Sequence, residues 1–192
     1  MRFTALGIHL AVLVSMEHNP DDRGFFARTF CTREFAGAGL STEVVQASVS
    51  FNTRRGTVRG MHFQWPPSRE AKLVRCVRGR ILDVLLDLRP GSPTYLRHLS
   101  VRLDEDNRDA VYIPHGIAHG FQTLSDDTEI LYQMTDVYAP ELATGVRWND
   151  PAFAIEWPMS TGIVISDRDA QYPDFDRIAF EVELARRAGA RA

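Results

Sequence analysis

Apolar and polar residues alternate in short runs along most of the chain, and turn residues interrupt the runs at nearly every break. "AVLVSME" is β-branched and apolar, "DDRG" reads as a turn, and "FFARTF" alternates again. "STEVVQASVSF" and "TVRGMHFQ" follow as strands on either side of the polar "NTRR", and "AKLVRCV" and "RILDVLLDL" flank "RG", the pattern of a hairpin. After the loop "RPGSPTY" come "LRHLSVRL", "AVYIP", "HGFQTL" and the long "TEILYQMTDVY", with "DEDNRD" and "DD" as turns. Many short strands, with Gly, Pro or Asp between them, predict an all-β fold built as a sandwich or small barrel.

Two segments carry a helical pattern instead. "TREFAGAGL" reads as a short helix, and "YPDFDRIAFEVELARRAGARA" spaces Phe175, Ile178, Val182 and Ala185 as a helical stripe after a capping Asp174, with small basic residues at its end that should fray. No repeat, low-complexity tract or linker divides the chain. One domain over 1–192 is expected, with N-terminal strands and a short helix in 1–50, a barrel core in 51–160 and a C-terminal segment with its helix in 161–192.

Composition narrows the function. At 192 residues, 44% hydrophobic and 24% charged, the chain is an ordinary globular protein rather than a disordered one. A net charge of −3 gives no general attraction to nucleic acid or acidic lipid, so a polyanionic ligand would have to be met by local arginines. Cys31 and Cys76 form no CxxC pattern and read as small apolar residues in a reducing compartment. "MRFTALGIHLAVLVSME" has no small-x-small cleavage site, and no apolar run approaches the ~20 residues of a membrane span. A cytoplasmic protein without membrane contact is expected.

Small barrels hold ligands in their mouths, so inward side chains are the candidates for chemistry. "IPHGIAHGFQTL" places Pro114, Gly116 and His119 as P-x-G-x-x-H, which resembles the second conserved segment of the cupin superfamily. Metal-dependent cupins complete that site with an H-x-H pair, but "MHFQ" has Gln64 in place of the second histidine. Lys72, a cation near neutral pH, has no lone pair for a metal. A metal site is therefore not expected. The same residues suit acid–base work. Histidine, with an ordinary pKa of about 6.5, removes protons near neutral pH, which makes His62 a candidate base. Alternation puts Lys72, Val74 and Cys76 on one face, and if "RG" closes a hairpin, Asp83 becomes a diagonal neighbour of Lys72. Tyr132 shares a face with Ile130 and Met134, and a tyrosine hydroxyl can deliver a proton to a carbanion. Each residue also has a structural reading: a packed histidine, a snorkelling lysine, a core tyrosine.

Together "DDRGFFAR", "GTVRGMHFQ", "EAKLVRCVRGRILDVLLDLRPGSPTY", "IPHGIAHGFQTL", "YQMTDVYAPELATGVRWNDPAF" and "ISDRDAQYPDF" resemble the dTDP-4-dehydrorhamnose 3,5-epimerase family over most of the chain. The resemblance implies a metal-free, cofactor-independent cupin jelly roll with short flanking helices, acting on nucleotide-linked 4-keto-6-deoxy sugars. It implies His62 as general base, Asp169 as the carboxylate that fixes its tautomer, Lys72 as the cation facing the enolate oxygen, and Tyr132 as the acid on the opposite face of the sugar. Arg23, Arg59, Arg168 and His119 are implied near the diphosphate, and Phe26, Gln46 and Tyr138 around the nucleotide and sugar. A homodimer with exchanged N-terminal strands is implied as well. A regular strand would put Arg59 and His62 on opposite faces, so Gly60 should mark a bulge between them.

Two departures bear on the substrate. Many members carry Q-x-N where this chain has "QAS", with Ser48 replacing the asparagine, and Arg28 stands where some relatives have a glutamate near the nucleobase. Thymidine and another nucleotide such as cytidine both stay open, as do epimerisation at C3 and C5, epimerisation at C3 alone, a non-catalytic sugar-nucleotide-binding cupin and a metal-dependent cupin oxygenase.

Overall fold

The computed structural model describes residues 1–189. The strands are β1 (Arg2–Ala5), β2 (Val12–Ser15), β3 (His18–Asp21), β4 (Gly24–Ala27), β5 (Gln46–Asn52), β6 (Val58–Gln64), β7 (Lys72–Arg78), β8 (Arg80–Asp87), β9 (His98–Asp104), β10 (Ala110–Ile113), β11 (Ile117–Thr123), β12 (Thr128–Met134) and β13 (Ala143–Gly145). The helices are α1 (Thr32–Gly37), α2 (Asp167–Ala170) and α3 (Arg177–Gly189). Six strands form one antiparallel sheet in the order β1-β2-β10-β7-β12-β5, and five form a second, β13-β6-β11-β8-β9. The expected β-sandwich with short flanking helices is the observed one.

Alternation decides what each face covers. Inward residues of both sheets, among them Val74, Cys76, Ile81, Leu85, Phe121 and Ile130, make the central core. The outer face of the first sheet is covered by α1, through Phe35 against Leu73 and Tyr112. The outer face of the second is covered by the C-terminal segment, through Phe180 near Met61, Phe63, Val84 and Leu86. Strand β8 is buried on both faces, which explains why "RILDVLLDL" reads as an almost unbroken apolar run.

The structure corrects two sequence expectations. "RG" does not close a hairpin: β7 pairs with β10 and β12 while β8 pairs with β11 and β9, so Gly79, at φ +74°, is a corner where the chain crosses between sheets. A Cβ on Gly79 would stand 2.6 Å from the Thr128 hydroxyl, so the corner needs glycine for space as well as for conformation. Asp83 is accordingly not a strand neighbour of Lys72. In α3 the cap is Asp176, whose Oδ1 accepts from the Ala179 N–H at 3.0 Å, while Asp174 pairs with Arg147. Ile178 and Val182 are 76% and 65% exposed, and the helix docks through Phe180, Leu184 and Arg187 instead. The reason is the aromatic cluster beneath it: Phe180 meets Trp65 at 5.0 Å and Phe175 at 5.3 Å between ring centroids, a larger apolar contact than the β-branched stripe offers. The fraying expected at the very end falls largely on 190–192, outside the described residues.

Candidate active site

The site begins with a bulge. Across β6 and β11, His119 sits opposite His62 but Phe121 sits opposite Arg59, so β6 holds one residue more than its partner over this stretch. Gly60 lies inside it at φ +136°, and a Cβ there would come within 2.4 Å of the Gly120 Cα. The extra residue turns Arg59 onto the face of His62, and both line one cleft, as the sequence requires if Gly60 marks a bulge.

A buried carboxylate holds the bulge and the histidine together. Ser166 caps α2 by accepting from the Asp169 N–H, which aims the Asp169 side chain at β6. Asp169 Oδ1 lies 2.7 Å from His62 Nε2, and its Oδ2 accepts from the Gly60 N–H at 3.2 Å. Burial works against its ionisation, but the hydrogen bond and charge of His62, the Gly60 amide and Arg168 outweigh it and keep the carboxyl below the usual range. An ionised Asp169 places the proton on Nε2 and leaves the Nδ1 lone pair of His62 for a substrate.

Around His62 opens a cleft of about 770 Å³ lined also by Arg59, Lys72, His119, Tyr132 and Ser48. Lys72, at the start of β7, lies between Ile113 and Met134 on the neighbouring strands, with Nζ 3.2 Å from Glu70 Oε2. Glu70, and not the Asp83 that a closed "RG" hairpin would have set diagonally, is the carboxylate beside Lys72. Asp83 instead binds His119, Oδ1 to Nε2 at 2.7 Å, so the directly paired His62 and His119 each carry a buried aspartate. The ring of Tyr132 meets that of His119 edge-on at 6.1 Å. Burial, and then the charge of Asp83, push the Tyr132 hydroxyl upward and keep it protonated, a hydroxyl that gives a proton rather than takes one. Arg59 donates to Asn52 Oδ1 at 2.8 Å, which directs its guanidinium along the cleft.

An adjoining cleft of about 550 Å³ shares His62, Glu70 and Lys72 and adds Tyr138 and Arg168. Arg168 Nε donates to the Tyr172 hydroxyl at 3.1 Å and Nη2 to the Ala143 carbonyl at 3.2 Å. Gln46 reaches the same region by accepting from the Tyr138 N–H at 3.0 Å. His62, Lys72, Tyr132, Asp169, Arg59, His119, Gln46, Tyr138 and Arg168 are thus gathered around two joined clefts.

Arg23 and Phe26 are not. Arg23 lies in the turn of the β3–β4 hairpin, paired with Asp21 at 2.6 Å and 89% exposed at its side chain. Phe26 is 72% exposed beside a separate cleft with Arg28, which is held by Glu34 at 2.8 Å. Glu70, Asn52 and Tyr172 were missed by sequence reasoning. Glu70 alone had a local signal, a carboxylate two residues before the inward lysine.

The family model described as dTDP-4-dehydrorhamnose 3,5-epimerase matches residues 5–177. A dTDP-4-dehydrorhamnose 3,5-epimerase of Sinorhizobium fredii is 40% identical over 173 residues, covering 90% of this chain and 89% of that one. A dTDP-4-dehydrorhamnose 3-epimerase of Streptomyces niveus is 42% identical over 170 residues, covering 88% and 81%. The crystal structure of the 3,5-epimerase of Bacillus anthracis with TDP and PPi bound superposes with a TM-score of 0.87 at 35% identity, covering 91% of this chain and 99% of that one.

Proposed function

We propose that this chain, which belongs to the dTDP-4-dehydrorhamnose 3,5-epimerase family, inverts C3 and C5 of a dTDP-linked 4-keto-6-deoxyhexose with His62 as its base. The activity is that of an isomerase. The C–H bonds at C3 and C5 both flank the C4 ketone, so loss of either proton gives an enolate whose charge collects on the C4 oxygen. Asp169 holds His62 with Nδ1 free to take the proton and stabilises the imidazolium that results. Lys72 faces the developing oxyanion, a role typically worth about 3–4 kcal/mol. Tyr132, kept neutral by burial, returns a proton to the other face of the ring, because a lone base would mostly restore the starting sugar. No oxidation level changes, so the reaction draws on no redox partner. Arg59, with His119 in the same cleft, and Arg168 in the adjoining one suit the diphosphate.

The observation that carries this reading is His62 held by the buried Asp169 and opening into one cleft with Lys72 and Tyr132. TDP in the Bacillus anthracis relative supports the thymidine nucleotide. Epimerisation at C3 alone is the second reading, favoured by the Streptomyces niveus relative. Mixing dTDP- and CDP-linked 4-keto-6-deoxyglucose separately with the protein in D₂O, followed by proton NMR, distinguishes them. Deuterium at C3 and C5 of the dTDP sugar is the expected result; deuterium at C3 only makes it a 3-epimerase, and none at either carbon refutes catalysis.

A homodimer in the cytoplasm completes the proposal. Both strands of the β3–β4 hairpin are exposed, and β5 is a sheet edge that leaves Val49 and Phe51 56% and 47% exposed, with Val45 just before it 47% exposed. Burying these in a second copy satisfies a bare edge and brings Arg23 and Phe26 toward the partner's cleft beside Ser48. Sedimentation at micromolar concentration is expected to give twice the 21.7 kDa chain mass.

A further inference from the structure

Residues 135–142 leave β12 in the first sheet and enter β13 in the second, bordering the cleft that Arg168 lines. Tyr138, halfway along, lines that cleft with His62 and Lys72 although its side chain is half exposed. Two consecutive N–H groups of this strap are received by two glutamine carbonyls. Tyr138 N–H goes to Gln46 Oε1 and Ala139 N–H to Gln64 Oε1, each at 3.0 Å. Gln46 stands on β5 of the first sheet and Gln64 on β6 of the second, so the strap is tied to both walls at the residue that lines the cleft. Gln64 is buried, and its Nε2 has no partner among the described residues. Turning the amide over would set its NH₂ against the Ala139 N–H, donor facing donor, so the carbonyl contact is what fixes the orientation of this side chain.

We propose that Gln64, two residues after the base His62, is a positioning residue of the epimerase: its carbonyl, paired with that of Gln46, seats Tyr138 over the reacting sugar. The proposal rests on the reading of this cleft as the substrate site. Gln64 lines the cleft beside His62 and acts through the strap. An acceptor lost from a half-buried N–H frees the strap to sample positions in which Tyr138 no longer borders the ring. The resulting loss in kcat/KM is on the order of 10-fold.

The test is a double-mutant cycle with Gln64→Leu and Tyr138→Ala, read as kcat/KM for the dTDP-linked ketosugar, with amide exchange of Ala139 followed in parallel. The expected result is a roughly 10-fold loss for Gln64→Leu in the native background, less than about 2-fold further loss in the Tyr138→Ala background, and faster exchange at Ala139 with β6 amides unchanged. Gln64→Glu, which keeps an acceptor oxygen, is expected to retain slow exchange at Ala139. An equal loss in both backgrounds overturns the positioning role and leaves the site assignment standing. Tyr138→Ala with native kcat/KM overturns both the proposal and the place of Tyr138 in the substrate site. Fast exchange at Ala139 in Gln64→Glu overturns the acceptor role, including in a preparation where Gln64→Leu does not fold.

Discussion

Replacing Asp169 with asparagine changes one atom and reverses the direction of one hydrogen bond. In the native site the ionised carboxylate accepts a hydrogen bond from the His62 Nε2–H at 2.7 Å, which keeps the ring proton on Nε2 and leaves the lone pair on Nδ1. An amide of the same shape keeps an oxygen for the Gly60 N–H, now accepted at 3.2 Å, and turns its NH₂ toward the imidazole. His62 then accepts at Nε2, and the ring proton moves to Nδ1, where the base must be free. A positioned base contributes about 10²- to 10⁴-fold, so loss of the correct tautomer should lower kcat about 10³-fold, or roughly 4 kcal/mol at 1.36 kcal/mol per decade. The assay is deuterium uptake at C3 and C5 in D₂O, with circular dichroism to confirm the folded state. Asp169→Asn that stays folded and exchanges within about 3-fold of the native rate would refute the tautomer argument.

Tyr132→Phe should separate exchange from inversion: His62 still removes the proton, so deuterium enters, but it returns to the face it left, and inverted product falls about 10²-fold or more by NMR. Gly60→Ala should destabilise the fold by roughly 3 kcal/mol, since its Cβ would lie 2.4 Å from the Gly120 Cα at φ +136°, and a chemical denaturation midpoint measures it. Stability should also fall in acid. Burial opposes ionisation of Asp87 and Asp169, but hydrogen bonds from Arg89, Ser92 and Thr94 and from His62 hold both carboxyls below the ordinary range. Groups with lowered folded pKa contribute fully above the unfolded value of about 3.9 and lose that contribution as pH drops through the folded one, so the melting temperature should be flat in these groups above about pH 5 and decline below pH 4.

The sheets were legible because a period of two reports which face a residue occupies. It does not report the partner strand. Gly79 serves a hairpin turn and a corner between sheets equally well, so "RG" pointed to the wrong neighbour for Lys72, and both Glu70 and the true role of Asp83 were missed. The Gly60 bulge was legible for a stereochemical reason: Arg59 and His62 can share a pocket only if one extra residue intervenes. His62 and Asp169 are 107 positions apart, and no spacing rule links them. Their partnership entered only through resemblance to a family. In α3, periodicity marked a helix correctly, but Ile178 and Val182 lost to Phe180, because the aromatic floor made by Phe63 and Trp65 decides which face docks.

One base serving two carbons is the central claim, and His62→Ala tests it most directly. In D₂O with the dTDP-linked 4-keto-6-deoxy sugar, a folded His62→Ala protein is predicted to lose deuterium uptake at C3 and C5 together, by about 10²-fold or more. Native-rate uptake persisting at either carbon would contradict it.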